Sequence, residues 1–257
     1  MTAAEQFVAF RTILRKEIRR FLRIWPQTLL PSAITMSLYF VIFGTLIGSR
    51  IGEMGGFSYM EFVVPGLIMM AIVTNSYSNV VSSFYGAKFS HSVEELLVSP
   101  TPNYLILMGF VVGGVTRGLL VAMIVTAVSL FFTRLQIHSV AVVVCGVILT
   151  SVLFALAGFI NAVFANSFDD ISIIPTFVLT PLIYLGGVFF SLDLLPDFWA
   201  GVSRLNPLVY VVNAFRYGVL GVADVSVGFA FAMLAGFTLL AFVYSMHLLN
   251  SGTRLRQ

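Results

Sequence analysis

Six long stretches of the chain contain no Asp, Glu, Lys or Arg, and this pattern constrains the fold more than any other feature. They cover residues 24–49, 62–87, 96–116, 135–168, 171–192 and 225–253. A helix needs about 20 apolar residues to cross a hydrocarbon core of roughly 30 Å, so each stretch is long enough. A soluble domain would keep charges on one face of most helices, whereas here only 10% of residues are charged. The chain is therefore predicted to lie in a membrane.

Trimmed at their Gly, Pro and polar flanks, the stretches predict six membrane spans. The spans cover residues 29–47, 60–84, 104–132, 140–165, 171–190 and 226–249. A backbone in lipid must satisfy its own hydrogen bonds, and runs of this length exclude a barrel of about ten-residue strands. The predicted fold class is an all-α membrane protein, with residues 1–257 forming a single transmembrane domain. An even number of spans places both termini on one side.

The distribution of Lys and Arg predicts which side that is. Nine of them fall on the side of the termini: Arg11, Arg15, Lys16, Arg19, Arg20, Arg23, Lys88, Arg254 and Arg256. Four fall on the other side: Arg50, Arg134, Arg204 and Arg216. The positive-inside rule makes both termini cytoplasmic. Topology thus accounts for the pI of 9.2, and nucleic acid is not expected as a partner.

Residues 1–25 are predicted to form an interfacial helix. Its apolar residues recur at spacings of three and four: Phe7, Phe10, Leu14, Ile18, Phe21 and Trp25. Arg11, Arg15, Arg19 and Arg23 occupy another face, a pattern typical of a helix lying flat in the membrane interface. The helix either only anchors the chain to lipid headgroups or also flanks a cytoplasmic partner. The long basic segment differs from a cleaved signal peptide, so we expect it to stay attached.

Enzymatic chemistry finds little support in the sequence. The one cysteine, Cys145, lies within the fourth span, which leaves neither a disulfide framework nor a thiolate metal site. His91, His138 and His247 fall in three segments without the spacing of a metalloprotease motif. Neither lysine is followed by Ser or Thr, so the chain lacks a nucleotide-binding P-loop. No cofactor is expected, and any ATP with its Mg²⁺ would be bound by another chain.

One charged residue, Arg117, falls well inside a span. It shares a helix face with a seam of small residues, in which Gly109 with Gly113 and Gly114 with Gly118 form two Gly-xxx-Gly patterns. Two interpretations stay open. Either the seam packs helices tightly while the guanidinium reaches an interface or a carbonyl, or Arg117 lies on a polar substrate path.

The cytoplasmic connection at 86–103 predicts a short exposed helix. Ser92 and Glu95 have the spacing of a capping box, and Pro100 and Pro102 stop the helix before the third span. The helix has a small apolar face: Val93, Leu96 and Leu97. Such a helix is either a simple connector or a rigid projection that fits a groove in a partner.

The connection between the fourth and fifth spans is very short, covering residues 166–170. Asp169 or Asp170 is predicted to cap the N-terminus of the fifth span, where a carboxylate accepts free backbone N–H groups and complements the helix dipole.

The far-side segment at 191–224 is too apolar for a solvated loop, yet Pro196 and Pro207 interrupt it. Neither half is long enough to span the membrane. We expect two half-helices that dip into the outer leaflet, with Arg204 and Arg216 near the interface.

A set of fixed spacings around the fifth span resembles a known family. The residues are Leu179, Leu182, Leu185, Gly186, Val188, Leu195-Pro196, Pro207-Leu208, Tyr210 and Arg216. They match the signature of the membrane subunits of type-2 ABC exporters. The basic N-terminal helix, the six spans and the helix after the second span are also similar to this family from end to end.

The resemblance implies a bacterial inner-membrane permease that pairs with a second copy of itself and with two ATP-hydrolysing subunits. In such a permease the Ser92 to Val98 segment would be the coupling helix on the ATPase, and residues 191–216 the re-entrant helical pair. Leu96 and Leu97 would then fill a pocket on the ATPase, while Glu94 and Glu95 meet basic residues at its rim. The turn containing Asp169 and Asp170 is the other candidate contact. Small members of this family are described as exporters of drugs, lipids or polysaccharides.

The competing classes are a membrane scaffold or binding subunit and one half of a secondary carrier. A carrier would show inverted repeats, and no convincing repeat relates the first and last three spans. A membrane enzyme would need an acid-base pair at depth, which the spans lack. Spans rich in Phe, Met and Tyr with almost no fixed charge favour an amphipathic or hydrophobic substrate.

Overall fold

A computed structural model describes residues 1–252; the predicted cytoplasmic cations Arg254 and Arg256 lie outside this range. The helices are α1 (Ala3–Arg23), α2 (Trp25–Ile51), α3 (Tyr59–Phe89), α4 (Ser92–Val98), α5 (Asn103–Ser129), α6 (Val140–Phe164), α7 (Asp170–Tyr184), α8 (Asp197–Arg204), α9 (Pro207–Leu220) and α10 (Val227–Ser251). A 3₁₀ turn covers Leu192–Leu194. The all-α membrane class is confirmed. Two short strands, β1 (Glu53–Met54) and β2 (Phe57–Ser58), were not predicted and pair antiparallel between α2 and α3.

Five helices within residues 1–252 are long and apolar enough to cross a membrane: α2, α3, α5, α6 and α10. The fifth predicted span differs, because helix α7 ends at Tyr184 rather than near residue 190. It contains Pro175 and Pro181, which lack the N–H that a helix interior uses, and its middle part is a π-helix. The chain then turns at Gly186 and Gly187, where Gly187 has a left-handed φ of 74°.

Helix α3 forms the centre of the bundle. It begins with a capping box: the Ser58 hydroxyl accepts from the Glu61 backbone N–H, and the Glu61 carboxylate accepts from the Ser58 backbone N–H. Most of its residues are buried, and α5, α6 and α9 pack around it. At the crossing with α6, a Cβ on Gly158 would lie 2.5 Å from the carbonyl oxygen of Tyr77, so only glycine allows this approach.

Helix α1 runs side by side with the N-terminal part of α5, in the same direction. The Tyr104 hydroxyl donates to Gln6 at 3.1 Å, and Ile13 packs on Gly109. Phe21 is fully buried, as the predicted apolar face requires, whereas Phe7 is exposed. The helix is therefore held against the bundle over several turns, which differs from the prediction of a helix lying flat on lipid alone.

The segment at 191–224 folds into a helical hairpin made of α8 and α9. Its two ends meet, because the Asp224 carboxylate accepts from the Ser191 hydroxyl at 2.7 Å and from the Leu192 N–H at 3.0 Å. At the tip, the Asn206 side chain donates to the carbonyl of Leu182 in α7. The two ends of the hairpin therefore lie next to each other, and its tip packs beside α7.

Candidate coupling site

Helix α4 begins at Ser92, where the sequence predicted it, but the predicted capping box does not form. The Ser92 hydroxyl donates to the carbonyl of Ala87 at 3.1 Å instead. His91 occupies the N-cap position in a left-handed conformation, with φ 58° and ψ 3°. Ser92 is already the first helical residue, so its hydroxyl lies one position too late to reach the Glu95 N–H.

The apolar face of α4 is directed partly toward its own bundle. Val93 is buried at 2% exposure, and Leu96 and Leu97 are half-buried against the hydrophobic core. Glu95 is exposed, and Val98 is 87% exposed. The surface that α4 offers to a partner therefore centres on Glu95 and Val98, together with the outer sides of Leu96 and Leu97.

Glu94 lies at the edge of that surface. Its carboxylate approaches the His91 Nδ1 at 3.3 Å, which links the first turn of α4 to the left-handed residue before it. The carboxylate is partly exposed, so it remains within reach of basic groups on a partner.

Asp169 occupies the N-cap position of α7, but its exposed side chain makes no capping bond. The turn before the helix is closed instead by Ser167 and Asp170. The Ser167 hydroxyl accepts from the Asp170 N–H at 3.1 Å, and the Asp170 carboxylate accepts in return from the Asn166 and Ser167 N–H groups at 2.9 and 3.2 Å. These donors lower the pKa of Asp170 below its usual range, the Asn166 N–H first. Of the two predicted capping residues, only Asp170, the first helical residue, therefore accepts backbone N–H groups at this helix start.

The C-terminal end of α3 brings α4 and the turn at 166–170 together. Lys88 is buried, and its Nζ donates to the carbonyls of Val163 and Ala165 at 2.8 Å each, which satisfies the C-terminus of α6. The ring of Phe168 packs on Tyr85 at 4.9 Å and on Phe89 at 5.1 Å. The turn at 166–170 is thus fixed to the helix end from which α4 emerges. Lys88, counted from sequence as a loop cation, is in fact an internal helix cap.

A polar junction joins α1 to α3 next to this site. The Ser83 hydroxyl donates to the Glu17 carboxylate at 2.6 Å, and Arg20 lies 3.6 Å from the other carboxylate oxygen. Arg20 also donates to the backbone and side-chain oxygens of Asn79. Burial raises the pKa of Glu17, and Arg20 and Ser83 partly oppose that shift. Sequence reasoning missed Glu17, although a lone acid within a run of basic residues was a signal of pairing.

Arg117 connects α5 to α2 and α3. Its Nη2 donates to the carbonyl of Thr28 at 3.0 Å and to the Asn75 side chain at 3.0 Å. These protein acceptors favour the packing interpretation over a substrate path. The glycine seam lies at helix contacts, with Gly113 against Glu17 of α1 and Gly114 and Gly118 against α3.

The signature residues hold the far-side hairpin in shape. Pro196 precedes the first turn of α8 and Pro207 opens α9, positions where a missing N–H costs nothing. The Tyr210 hydroxyl donates to the carbonyl of Arg204 at 2.6 Å, which ties α9 to the end of α8. Gly186 allows Leu208 to approach closely.

Arg216 lies at the base of the far-side hairpin. It is fully buried, with its guanidinium 3.8 Å above the ring of Phe62 and one nitrogen donating to the carbonyl of Gly187 at 2.5 Å. Asp224 lies 3.9 Å away. The sequence predicted Arg216 near the interface but did not identify Asp224 as its partner, because the two come together only when the hairpin closes.

Comparison with known proteins shows which class of protein this arrangement defines. The ABC-2 type transporter family matches residues 8–220, so the chain belongs to that family. It is a permease, a transport subunit rather than an enzyme, and a multi-pass protein of the inner membrane.

Particular relatives agree with this assignment. The chain is 58% identical over 250 residues to the inner membrane transport permease YadH of Escherichia coli K12, covering 97% of this chain and 98% of that protein. It is 22% identical over 239 residues to nodulation protein J of Neorhizobium galegae, covering 93% and 91% of the two chains. Nodulation protein J of Rhizobium meliloti is 24% identical over 214 residues, covering 83% and 82%.

Replacement of Asp170 by Asn should loosen the turn that this carboxylate closes. We expect faster amide hydrogen exchange at Asn166 and Ser167, because an uncharged side chain is a weaker acceptor. Because the folded pKa is lowered, the carboxylate stabilises the turn above its unfolded pKa and loses this effect only as pH falls through the folded value. The difference from wild type should therefore be constant from about pH 6 to 8.

Asp169→Asn is the matched control, since it changes the same group one residue away without removing a capping bond. Equal exchange in the two variants would show that Asp170 does not hold the turn.

Proposed function

We propose that the chain is the membrane subunit of an ATP-driven exporter, working as a homodimer with two copies of a separate ATP-binding subunit. Membership of the ABC-2 type transporter family implies an ATP-binding partner. The exporter would move an amphipathic or hydrophobic molecule, such as a drug, a lipid or a lipid-linked glycan, across the inner membrane.

The observation that carries the proposal is the meeting of two cytoplasmic segments at one end of α3. Helix α4 follows this end directly, and the turn at 166–170 is bound to it through Phe168 and Lys88. A force on the exposed side of α4 would therefore act on α3 and on the start of α7 together. Such a joint suits a subunit that receives motion from a partner, since packed side chains transmit displacement.

Contacts along α3 support six membrane crossings and a re-entrant hairpin. Phe168 packs near the cytoplasmic end of α3, while the Tyr59 hydroxyl at the opposite end donates to the carbonyl of Phe189 at 3.2 Å. The stretch from 168 to 189 therefore covers nearly the depth of α3, although only part of it is helical. Leu208, near the hairpin tip, and Met69 of α3 line the same small cavity, which supports a hairpin dipping into the membrane.

Six crossings would place both termini on one side of the membrane. The many cations of α1, which packs along the N-terminal part of α5, favour the cytoplasm as that side.

The outer faces of α2 and α10 support a second copy in the membrane. Both helices leave most of their apolar residues uncovered by the rest of the chain. Tyr39 of α2 and Tyr184 of α7 place their hydroxyls 3.5 Å apart on an exposed face. Polar groups at membrane depth are costly against lipid, so this face suits a partner subunit or an amphipathic substrate.

Cysteine accessibility should report the six crossings. In a Cys145→Ala background, cysteines at Thr2 and Gln257 should resist an impermeant thiol reagent in intact spheroplasts and react after permeabilisation. A cysteine at Ser139, between α5 and α6, should react in both. Labelling of Gln257 but not Thr2 in intact spheroplasts would mean an odd number of crossings and would overturn the arrangement.

The exposed side of α4 should carry binding to the ATP-binding subunit. We expect Val98→Ser to lower co-purification of that subunit at least fivefold, because truncating an interface anchor costs about 1 kcal/mol or more. Leu96→Ala combined with Leu97→Ala should lower it further and also reduce thermal stability, since both side chains pack on the core. Membrane insertion should remain normal, because none of these residues lies in a predicted span.

Val140→Ser is the matched control. Val140 is also exposed, at 64%, but it begins α6 at the other end of the bundle. Undiminished co-purification and transport in the Val98 and Leu96–Leu97 variants would reduce α4 to a connector.

A further inference from the structure

A cavity of about 750 Å³ lies beside the last two turns of α1. It is lined by five residues: Lys16, Arg19, Arg20, Leu22 and Arg23. Four of the five are cations, and among residues 1–252 no carboxylate contributes to its lining. The site thus combines high positive charge with an apolar surface from Leu22 and the aliphatic stems of the cationic side chains.

The cavity lies toward the C-terminal end of α3, from which α4 emerges. Arg20 forms part of its wall and donates to Asn79 and Ser82, about two turns before the cytoplasmic end of α3. Leu22 in the last turn of α1 and Trp25 at the start of α2 are exposed to the surroundings of the bundle. Tryptophan at this position is typical of a membrane interface.

The positive charge of the cavity is only partly neutralised by the protein. Glu17 is the nearby acid; it is buried on the bundle side, pairs with Arg20 and Ser83, and interacts at longer range with Lys16. Lys16, Arg19 and Arg23 form no salt bridge with any described residue. Like charges three and four residues apart repel each other on a helix, so an anion in the cavity would remove this repulsion.

We propose that this cavity is a specific site for the phosphate headgroup of an anionic phospholipid of the inner leaflet. Three cations without a salt bridge around one cavity favour a lipid with two phosphates, such as cardiolipin, over one with a single phosphate. The acyl chains would lie along the exposed apolar surface near Leu22 and Trp25. Because Arg20 contacts both the cavity and Asn79, the bound lipid would fasten α1 to α3 at the side of the coupling site.

Native mass spectrometry of the purified chain tests the site directly. Cardiolipin, phosphatidylglycerol and phosphatidylethanolamine are added separately to the delipidated protein, and bound lipid is counted. The expected order of retention is cardiolipin, then phosphatidylglycerol, with phosphatidylethanolamine weakest. Arg19→Gln with Arg23→Gln should lower cardiolipin affinity about tenfold to thirtyfold, the loss expected for two cations near a headgroup.

Arg11→Gln with Arg15→Gln is the matched control. It removes the same charge from the same helix at exposed residues that do not line the cavity. This pair should keep cardiolipin affinity within about twofold of wild type, as a specific site requires. Arg19→Lys with Arg23→Lys should keep most of the binding, since the charge remains. Arg20 is left unchanged because it holds α1 to the bundle.

Three results would overturn the proposal: equal loss in the two glutamine pairs, no preference for anionic over zwitterionic lipid, or full displacement of cardiolipin by millimolar inorganic phosphate. The last would identify a site for a soluble anion. Circular dichroism and size-exclusion profiles of each variant confirm that its fold is retained. The measurement needs no ATP-binding subunit, so its failure would leave the proposed transport function untouched.

Discussion

The burial of α3 along almost its whole length is the constraint on which the rest of the structure depends. A helix surrounded by α5, α6 and α9 has little freedom to change its packing on one side alone. Its contacts use small residues where backbones approach, as at Gly158 of α6 and Gly114 of α5. Helices α5, α6 and α9 are positioned by direct packing on α3, and α10 packs in turn on α6 and α9. The irregular segments of the chain lie at the two ends of α3.

The two ends of α3 make different sets of contacts with other segments. At the far end, Arg216 lies over the ring of Phe62, and the hairpin is closed by Asp224. At the C-terminal end, Lys88 caps α6, and Phe168 packs on Phe89 just before α4. A displacement of α3 along its axis would therefore disturb the hairpin and the coupling site together. This geometry suits a permease, in which a cytoplasmic motor must alter a path through the membrane.

The sequence predicted the features that depend on local chemistry. Charge-free stretches located five long helices within a few residues, and Pro207 and the Ser92 region marked helix starts correctly. Features that depend on contacts between distant segments were missed or wrong. The Ser92 cap failed because His91 took the N-cap position, and the Asp169 side chain makes no capping bond because Ser167 and Asp170 close that turn. The burial of Glu17 and Lys88 depends on helices that only the fold brings together.

Measurement of ATP hydrolysis tests the central claim, that a separate ATP-binding subunit drives this permease through the C-terminal end of α3. The purified chain, the ATP-binding subunit that co-purifies with it, and their complex are assayed in the same lipid. We expect no hydrolysis by the chain alone and a rate in the complex that differs from that of the free ATP-binding subunit. Robust hydrolysis by this chain alone, or a subunit whose rate is unchanged in the complex, would contradict the account.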